Sequence, residues 1–252
     1  MFAPVTTCTR VTNAMSHGGM SRKGTIPKGW RTTHRDMSDE EWALIADLVE
    51  PYSSRGKMGR PVKNDRRAVV DGIFYVAATG CQWRALPEKY PHWNTVYRYH
   101  LTWSSDGTWE RICDRLRGLV REKEGREEAP SASIIDARSV RGAATVGAAT
   151  RGYDAGKKVN GRKVFGVVDT LGLLVAVVTL VASGRFEVLP RRWVVERTWS
   201  WLMNNRRLQV DYERDPKVSE GFVWAAHSRL LMRRLTAEAH SEARWWNIRD
   251  SL

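Results

Sequence analysis

The 252-residue sequence predicts an α+β protein, helical in its N-terminal half and built around strands in its C-terminal half. Three observations carry that prediction. Apolar residues recur at helical spacing between residues 37 and 121, a charged stretch closed by Pro130 occupies 122–130, and valine-rich β-branched runs occur only beyond it.

Residues 1–36 hold six basic residues against one acidic and no apolar run of a secretory signal. They read as a disordered basic lead, with Met37 an alternative start. Ser38 and Glu41 have capping-box spacing, and the helix they open should run through Trp42, Ile45, Leu48 and Val49 and end before Pro51. A second helix starts at Asn64 or Asp65, places Val69, Ile73, Phe74 and Ala77 on one face, and stops at Gly80. Asn94 or Thr95 caps a third, carrying Val96, Tyr99, His100 and Trp103; a fourth spans Trp109–Val120. Short helices joined by tight turns predict a helix-turn-helix-like DNA-binding domain over 37–121, the plainer alternative being a helical bundle with a charged loop.

After the 122–130 linker, a second domain occupies 131–252. Its first strand, Ser133–Ala137, ends beside Asp136. A flexible Gly/Ala-rich stretch covers 141–161. Strands Arg162–Asp169 and Leu173–Ala182 then form an antiparallel hairpin about Thr170–Gly172. A helix from Pro190 turns Val195, Trp199 and Leu202 inward, and a last helix over Val218–Leu235 closes the domain with Phe222, Ala225, Ala226 and Met232.

The formal charge of +13, from 41 Lys and Arg against 28 Asp and Glu, favours a polyanionic partner, nucleic acid first. The basic residues cluster. Arg55, Lys57, Arg60, Lys63, Arg66 and Arg67 form one group, Lys157, Lys158, Arg162 and Lys163 another, and Arg206 and Arg207 a third. Each is expected to hold DNA phosphates, against the alternative of solvated basic loops. Cys8, Cys81 and Cys113 suggest neither a disulfide framework nor paired zinc ligands, so a cytoplasmic, nucleoid-associated location is expected. The histidines show no metal-ligand spacing, no apolar run reaches the ~18–20 residues of a membrane span, and Gly152–Lys158 is a poor phosphate loop, one residue short with Lys158 where Ser or Thr belongs.

A strand bearing Asp136, a hairpin, then a helix bearing Glu196 is the skeleton of the RNase H-like fold, whose chemistry is two-metal phosphoryl transfer. The chain resembles the insertion-sequence transposases of the DDE superfamily, insertion-sequence-five group. The matching stretches include Met37-Ser-Asp-Glu-Glu-Trp42, Gly59-Arg-Pro61, Gly80-Cys-Gln-Trp-Arg84, Ser133-Ile-Ile-Asp136, Arg151-Gly-Tyr-Asp-Ala-Gly-Lys-Lys158, Val168-Asp-Thr-Leu-Gly-Leu173 and Val188-Leu-Pro-Arg-Arg-Trp-Val-Val-Glu-Arg197. The resemblance implies that Asp136 and Glu196 are catalytic carboxylates and ligands to Mg²⁺, or Mn²⁺ in its place, with Arg192 one turn before the glutamate. It implies double-stranded DNA as partner, both transposon inverted repeats and target, and a homodimer.

One family feature is missing. A second Asp, in an Ala-Asp-X-Gly-Tyr-like context on another strand, has no counterpart between the hairpin and the glutamate helix. A parallel crossover needs ~10–12 residues and the strand ~5 more, so an internal deletion joining Val181-Ala-Ser183 to Gly184-Arg-Phe-Glu-Val188 is expected. Asp169 sits at the hairpin turn, Asp154 in the loose basic stretch, and Glu187 has no favourable spacing. The RNase H-like domain is therefore expected to be incomplete and its catalysis impaired. The alternative is an inactive DNA-binding derivative acting as a repressor or dominant-negative partner; a transcription regulator that never was an enzyme accords poorly with transposase-like motifs on both sides of the gap.

Overall fold

Ser38 and Glu41 meet as their spacing requires: the Glu41 amide donates to the Ser38 hydroxyl at 3.2 Å, and the Ser38 amide donates to the Glu41 carboxylate at 2.8 Å. The computed structural model describes residues 34–49, 65–181 and 193–237. The helix opened by the box, α1 (Asp39–Ala43), is shorter than its apolar spacing suggests and passes into turns that still bury Ile45 and Val49. Asp65 caps α2 (Arg66–Thr79), which ends at Gly80 with φ +68°, a left-handed conformation that glycine adopts without a Cβ clash. The third helix, α3 (Trp93–Ser105), begins earlier than expected because the ring of His92 takes the cap position from Asn94 and Thr95. Gly107, φ +77°, turns the chain directly into α4 (Thr108–Lys123).

The strand bearing Asp136 does not stop at Ala137. β1 (Ser133–Gly142) continues because Arg138 and Val140 keep the alternation of Ile134 and Asp136. The stretch expected to be loose is ordered, with a 3₁₀ turn at Ala148–Thr150 and β2 (Gly152–Asp154) leading into β3 (Val159–Asp169). β3 and β4 (Leu174–Val181) make the expected antiparallel hairpin. Then come α5 (Trp193–Leu202), the two-residue β5 (Val210–Asp211) and α6 (Pro216–Thr236). β3 lies between β4 and β1, antiparallel to both, while β5 runs parallel to β1 and meets it only at Arg141 and Gly142. This mixed architecture, helices followed by a sheet flanked by helices, is the α+β, RNase H-like class.

α6 is buried along most of its length and packs on α1, α2, α3 and α4 as well as on β4. At Gly221 a Cβ would stand 1.9 Å from the Ser104 Oγ, so α6 and α3 approach at a distance that glycine permits. From α6 Arg229 donates to Glu41 at 2.8 Å, and Glu41 is fully buried. Thus the last helix completes the core of the first ones: one apolar cluster runs from Met37 to Met232, and the described residues form one compact unit. Of the expected basic lead, residues 34–36 are described, and they are tied to the helices. Arg35 chelates Glu41 with two 2.8 Å bonds, and Asp36 accepts from Lys89 and Tyr90.

Sheet faces differ. Leu174, Val177 and Thr179 are buried on the side where Glu220 and His227 of α6 bond to the β4 amides. On the other side Ile135, Val178 and Leu180 remain 46, 48 and 52% exposed.

Candidate active site on the sheet

Asp136 stands opposite Gly166 in the β1–β3 ladder, and residues directly opposite share a face. That face lies under α5: a Cβ on Gly166 would come within 2.6 Å of the Trp199 ring. Glu196 is one helical turn before Trp199, in the first turn of α5, where the helix dipole favours a negative charge. The helix is held by the hairpin turn. Thr198 donates to the Gly172 carbonyl at 2.7 Å and Arg197 to the Leu171 carbonyl at 3.1 Å, with Gly172 at φ +82°. The two expected carboxylates are therefore brought onto facing elements, Asp136 half-buried in the strand and Glu196 exposed on the helix. Arg192 and Glu187 lie outside the described residues.

Carboxylates that sequence reasoning weighed as substitutes are otherwise engaged. Asp169 is fully buried, accepts from the amides of Leu171 and Leu173 at 2.9 and 2.8 Å, and pairs with Arg121. Asp154 belongs to β2 rather than to a loose loop and accepts from Ser139 and from the Lys157 amide; those bonds hold its carboxyl below the usual range. Among the described residues, no group of three His, Cys, Asp or Glu side chains is placed to hold a metal ion.

The basic residues divide sharply. Arg162 is fully buried and donates to Asp211, to the Thr150 hydroxyl and to the carbonyls of Thr150, Glu213 and Arg214, all at 2.8–3.0 Å. A guanidinium so used offers nothing to a phosphate, and the expectation that Arg162 meets DNA is corrected. Strand alternation from Val164, Gly166 and Val168 would have pointed it inward. Arg207 is likewise buried, chelating Glu213 and stacking 4.9 Å from the Tyr212 ring, and Lys163 is 9% exposed. Neither has the open surface expected of a phosphate contact. Arg66 and Arg67 are half-buried and tie α2 to the Val49 and Met37 carbonyls and to Asp39. Lys157, Lys158 and Arg206 are exposed. Arg55, Lys57, Arg60 and Lys63 lie outside the described residues.

Beside Trp199 a shallow cleft opens between β1, α5, β5 and α6, with a cavity volume of about 30 Å³. Its wall is mostly apolar, with Val140, Trp199, Met203 and Tyr212, and includes Arg138, a residue that sequence reasoning passed over. The signal was available: Arg138 keeps the two-residue period of Asp136 along β1.

A family model described as "Putative transposase of IS4/5 family" matches residues 37–113, and one described as "Transposase DDE domain" matches 127–185. The chain is 33% identical over 110 residues to an uncharacterised 16.2 kDa protein of insertion element IS402 from Burkholderia cepacia, covering 42% of this chain and 72% of that one. It is 30% identical over 88 residues to the uncharacterised protein y4sN of Sinorhizobium fredii, covering 35% of this chain and 66% of the relative. No solved structure matches. Among the described residues no helix is long and apolar enough to cross a membrane. Helices in the first match, a sheet bearing Asp136 in the second and an insertion-element relative together place the function in DNA transposition, and the chain belongs to the insertion-sequence transposases of the DDE type.

Proposed function

We propose that this chain is a transposase shortened inside its catalytic domain, able to hold double-stranded DNA but impaired in metal-dependent strand cleavage and transfer. The observation that carries this reading is the partner of β1. A DDE site needs a strand with the second Asp beside the one with the first, yet among the described residues β1 has as parallel neighbour only Val210–Asp211, paired at Arg141 and Gly142. Eleven residues, 182–192, join β4 to α5, too few for a crossover plus a strand. The transposase DDE match ends at residue 185, within that same segment.

Asp136 and Glu196 present the oxygen donors that Mg²⁺ or Mn²⁺ takes. Two carboxylates fall short of the set that holds a pair of ions, so no cleavage step is assigned to this chain. The DNA partner, inverted repeats and target alike, would be met by the helical domain 37–121 with the basic loop Arg55 to Lys63, and by Lys157, Lys158 and Arg206. A homodimer in the cytoplasm, associated with the nucleoid, completes the reading.

A derivative that occupies transposon ends and blocks an intact partner is the consequence, favoured by the way α6 completes the helical core despite the shortened sheet domain. The test is cleavage of a duplex bearing the element's ends, with Mg²⁺, by the wild-type chain beside Asp136→Ala and Glu196→Ala. We expect all three to bind and none to cut. Metal-dependent cutting by the wild type that disappears in both variants overturns the impairment, and absence of any DNA binding overturns the whole reading.

A further inference from the structure

Both acidic side chains in the wall of the cleft beside Trp199 are already matched. Asp211 takes the Arg162 guanidinium at 2.9 Å, and Glu213 is chelated by Arg207 at 2.5 and 3.0 Å. That leaves Arg138. Its side chain lies in the same wall, on the sheet face and strand that carry Asp136, two residues away. Among the described residues it makes no hydrogen bond and no ion pair, and its side chain is half-buried. A half-buried guanidinium with no counter-charge destabilises the fold that contains it, because water has been partly stripped away and nothing replaces it. Chains retain such groups where a ligand supplies the missing charge.

We propose that Arg138 is a receptor for a phosphodiester of the DNA strand, positioning the backbone beside the Asp136 carboxylate. The guanidinium is a planar fork of donors that matches two oxygens of one phosphate, and it lies in the wall of the cleft beside Trp199. The inference deepens the DNA-binding reading above and rests on it. Arg138 is a positioning residue here: it acts on where the strand lies and takes no part in metal binding or proton transfer.

Two signatures separate this role from a structural one. Replacing Arg138 by Met removes an unmatched charge, so Arg138→Met should unfold at the same temperature as wild type or higher. The same variant should bind a fluorescent duplex roughly ten-fold more weakly, with a salt slope shallower by about one counterion. Arg138→Lys keeps the charge but not the fork and should retain the slope while losing part of the affinity. Anisotropy titrations across salt with a duplex carrying the element's ends, next to thermal unfolding with and without inorganic phosphate, give all the readouts. If wild type binds and Arg138→Met matches it in affinity and slope, the assignment of Arg138 fails while DNA binding stands. A lower unfolding temperature in Arg138→Met makes the residue structural and overturns the proposal. Stabilisation of wild type by inorganic phosphate alone, with no difference between the proteins on DNA, assigns the site to free phosphate instead. No binding by wild type removes both readings together.

Discussion

Gly166 is where the candidate site can be tested without reference to activity. It sits opposite Asp136 on β3, and the Trp199 indole lies over it so closely that a Cβ would fall 2.6 Å from Cζ2, 3.2 Å from Cη2 and 3.3 Å from Cε2. A buried tryptophan ring, 6% exposed, cannot yield as the tip of a flexible chain can. Gly166→Ala must therefore lift α5 or bend the ladder, at a cost of about 1–3 kcal/mol for an overpacked core. For a body of this size that lowers the unfolding midpoint by roughly 2–4 °C per kcal/mol. Trp199→Phe alone should destabilise too, through lost ring contact. In the double variant the smaller ring makes room for the new methyl, so the two losses should fall short of additivity by at least about 0.5 kcal/mol. The assay is thermal or urea unfolding of wild type, both single variants and the double. Strict additivity would mean that Trp199 does not cover Gly166, and with it would go the argument that α5 presents Glu196 over the strand of Asp136.

Acid should unfold the protein early. His100 and His227 are fully buried, and burial lowers both pKa values from 6.5 to about 3. His227 Nε2 accepts the Leu174 amide and His100 Nδ1 accepts the Trp109 indole N–H, so protonation breaks a bond as well. The unfolded chain binds these protons near 6.5 and the folded chain does not, so stability falls as pH drops below 6.5, by roughly 1–2 kcal/mol per histidine at pH 5.5. His34, lowered to about 4, adds a similar loss, while Asp71, pushed up to about 6 by burial, works in the opposite sense and returns about 1 kcal/mol, leaving a net loss of roughly 3 kcal/mol. A denaturation midpoint that stays flat from pH 7.5 to 5.5 would contradict this. Val178→Lys and Leu180→Lys should raise solubility with little change in stability, since both side chains stand about half exposed on the open sheet face; ultracentrifugation of each variant would show it, and a large stability loss would mean that the face is covered. Arg162→Met leaves Asp211 buried without its partner and should cost about 3–5 kcal/mol, with Arg162→Lys no substitute for the planar fork; an unfolding midpoint near that of wild type would restore Arg162 to the surface.

Much of the fold was legible because its signals are local. The capping box at Ser38, the Asp65 cap, the stop at Gly80 and the hairpin about Thr170–Gly172 each depend on a few adjacent residues, and each is found. What escaped was set by tertiary packing. β1 outruns its β-branched core because β3 pairs with it as far as Arg141, and no propensity marks Arg138 as a strand residue. α6 looked like the lid of one domain, yet its consecutive Phe222-Val-Trp-Ala-Ala226 is buried around the whole helix, the pattern of a central element. In the site, Asp136 and Glu196 were visible as a strand residue and a helix residue separated by a hairpin. Arg162 was misjudged because positive charge was counted by cluster instead of by strand parity.

On the proposed reading, the same packing explains how a transposase shortened in its sheet domain would keep a folded core. α4, α5 and α6 contact the sheet, and the bonds from Glu220, His227 and Thr198 pin β4 and the hairpin turn to α5 and α6. Arg121 locks the hairpin to α4 through Asp169. Every one of these ties is made by described residues on either side of the segment 182–192. A crossover and an added strand would serve other surfaces, the exposed face of Ile135, Val178 and Leu180 and the edge of β1 beyond its two-residue pairing with β5. If the proposal holds, their loss would remove little from the apolar cluster that runs from Met37 to Met232 and much from the place where a third carboxylate would stand. On the proposed reading stability and chemistry would thus be held by different parts of the sheet, which is the condition under which a chain could persist as a DNA-holding protein without its catalytic geometry.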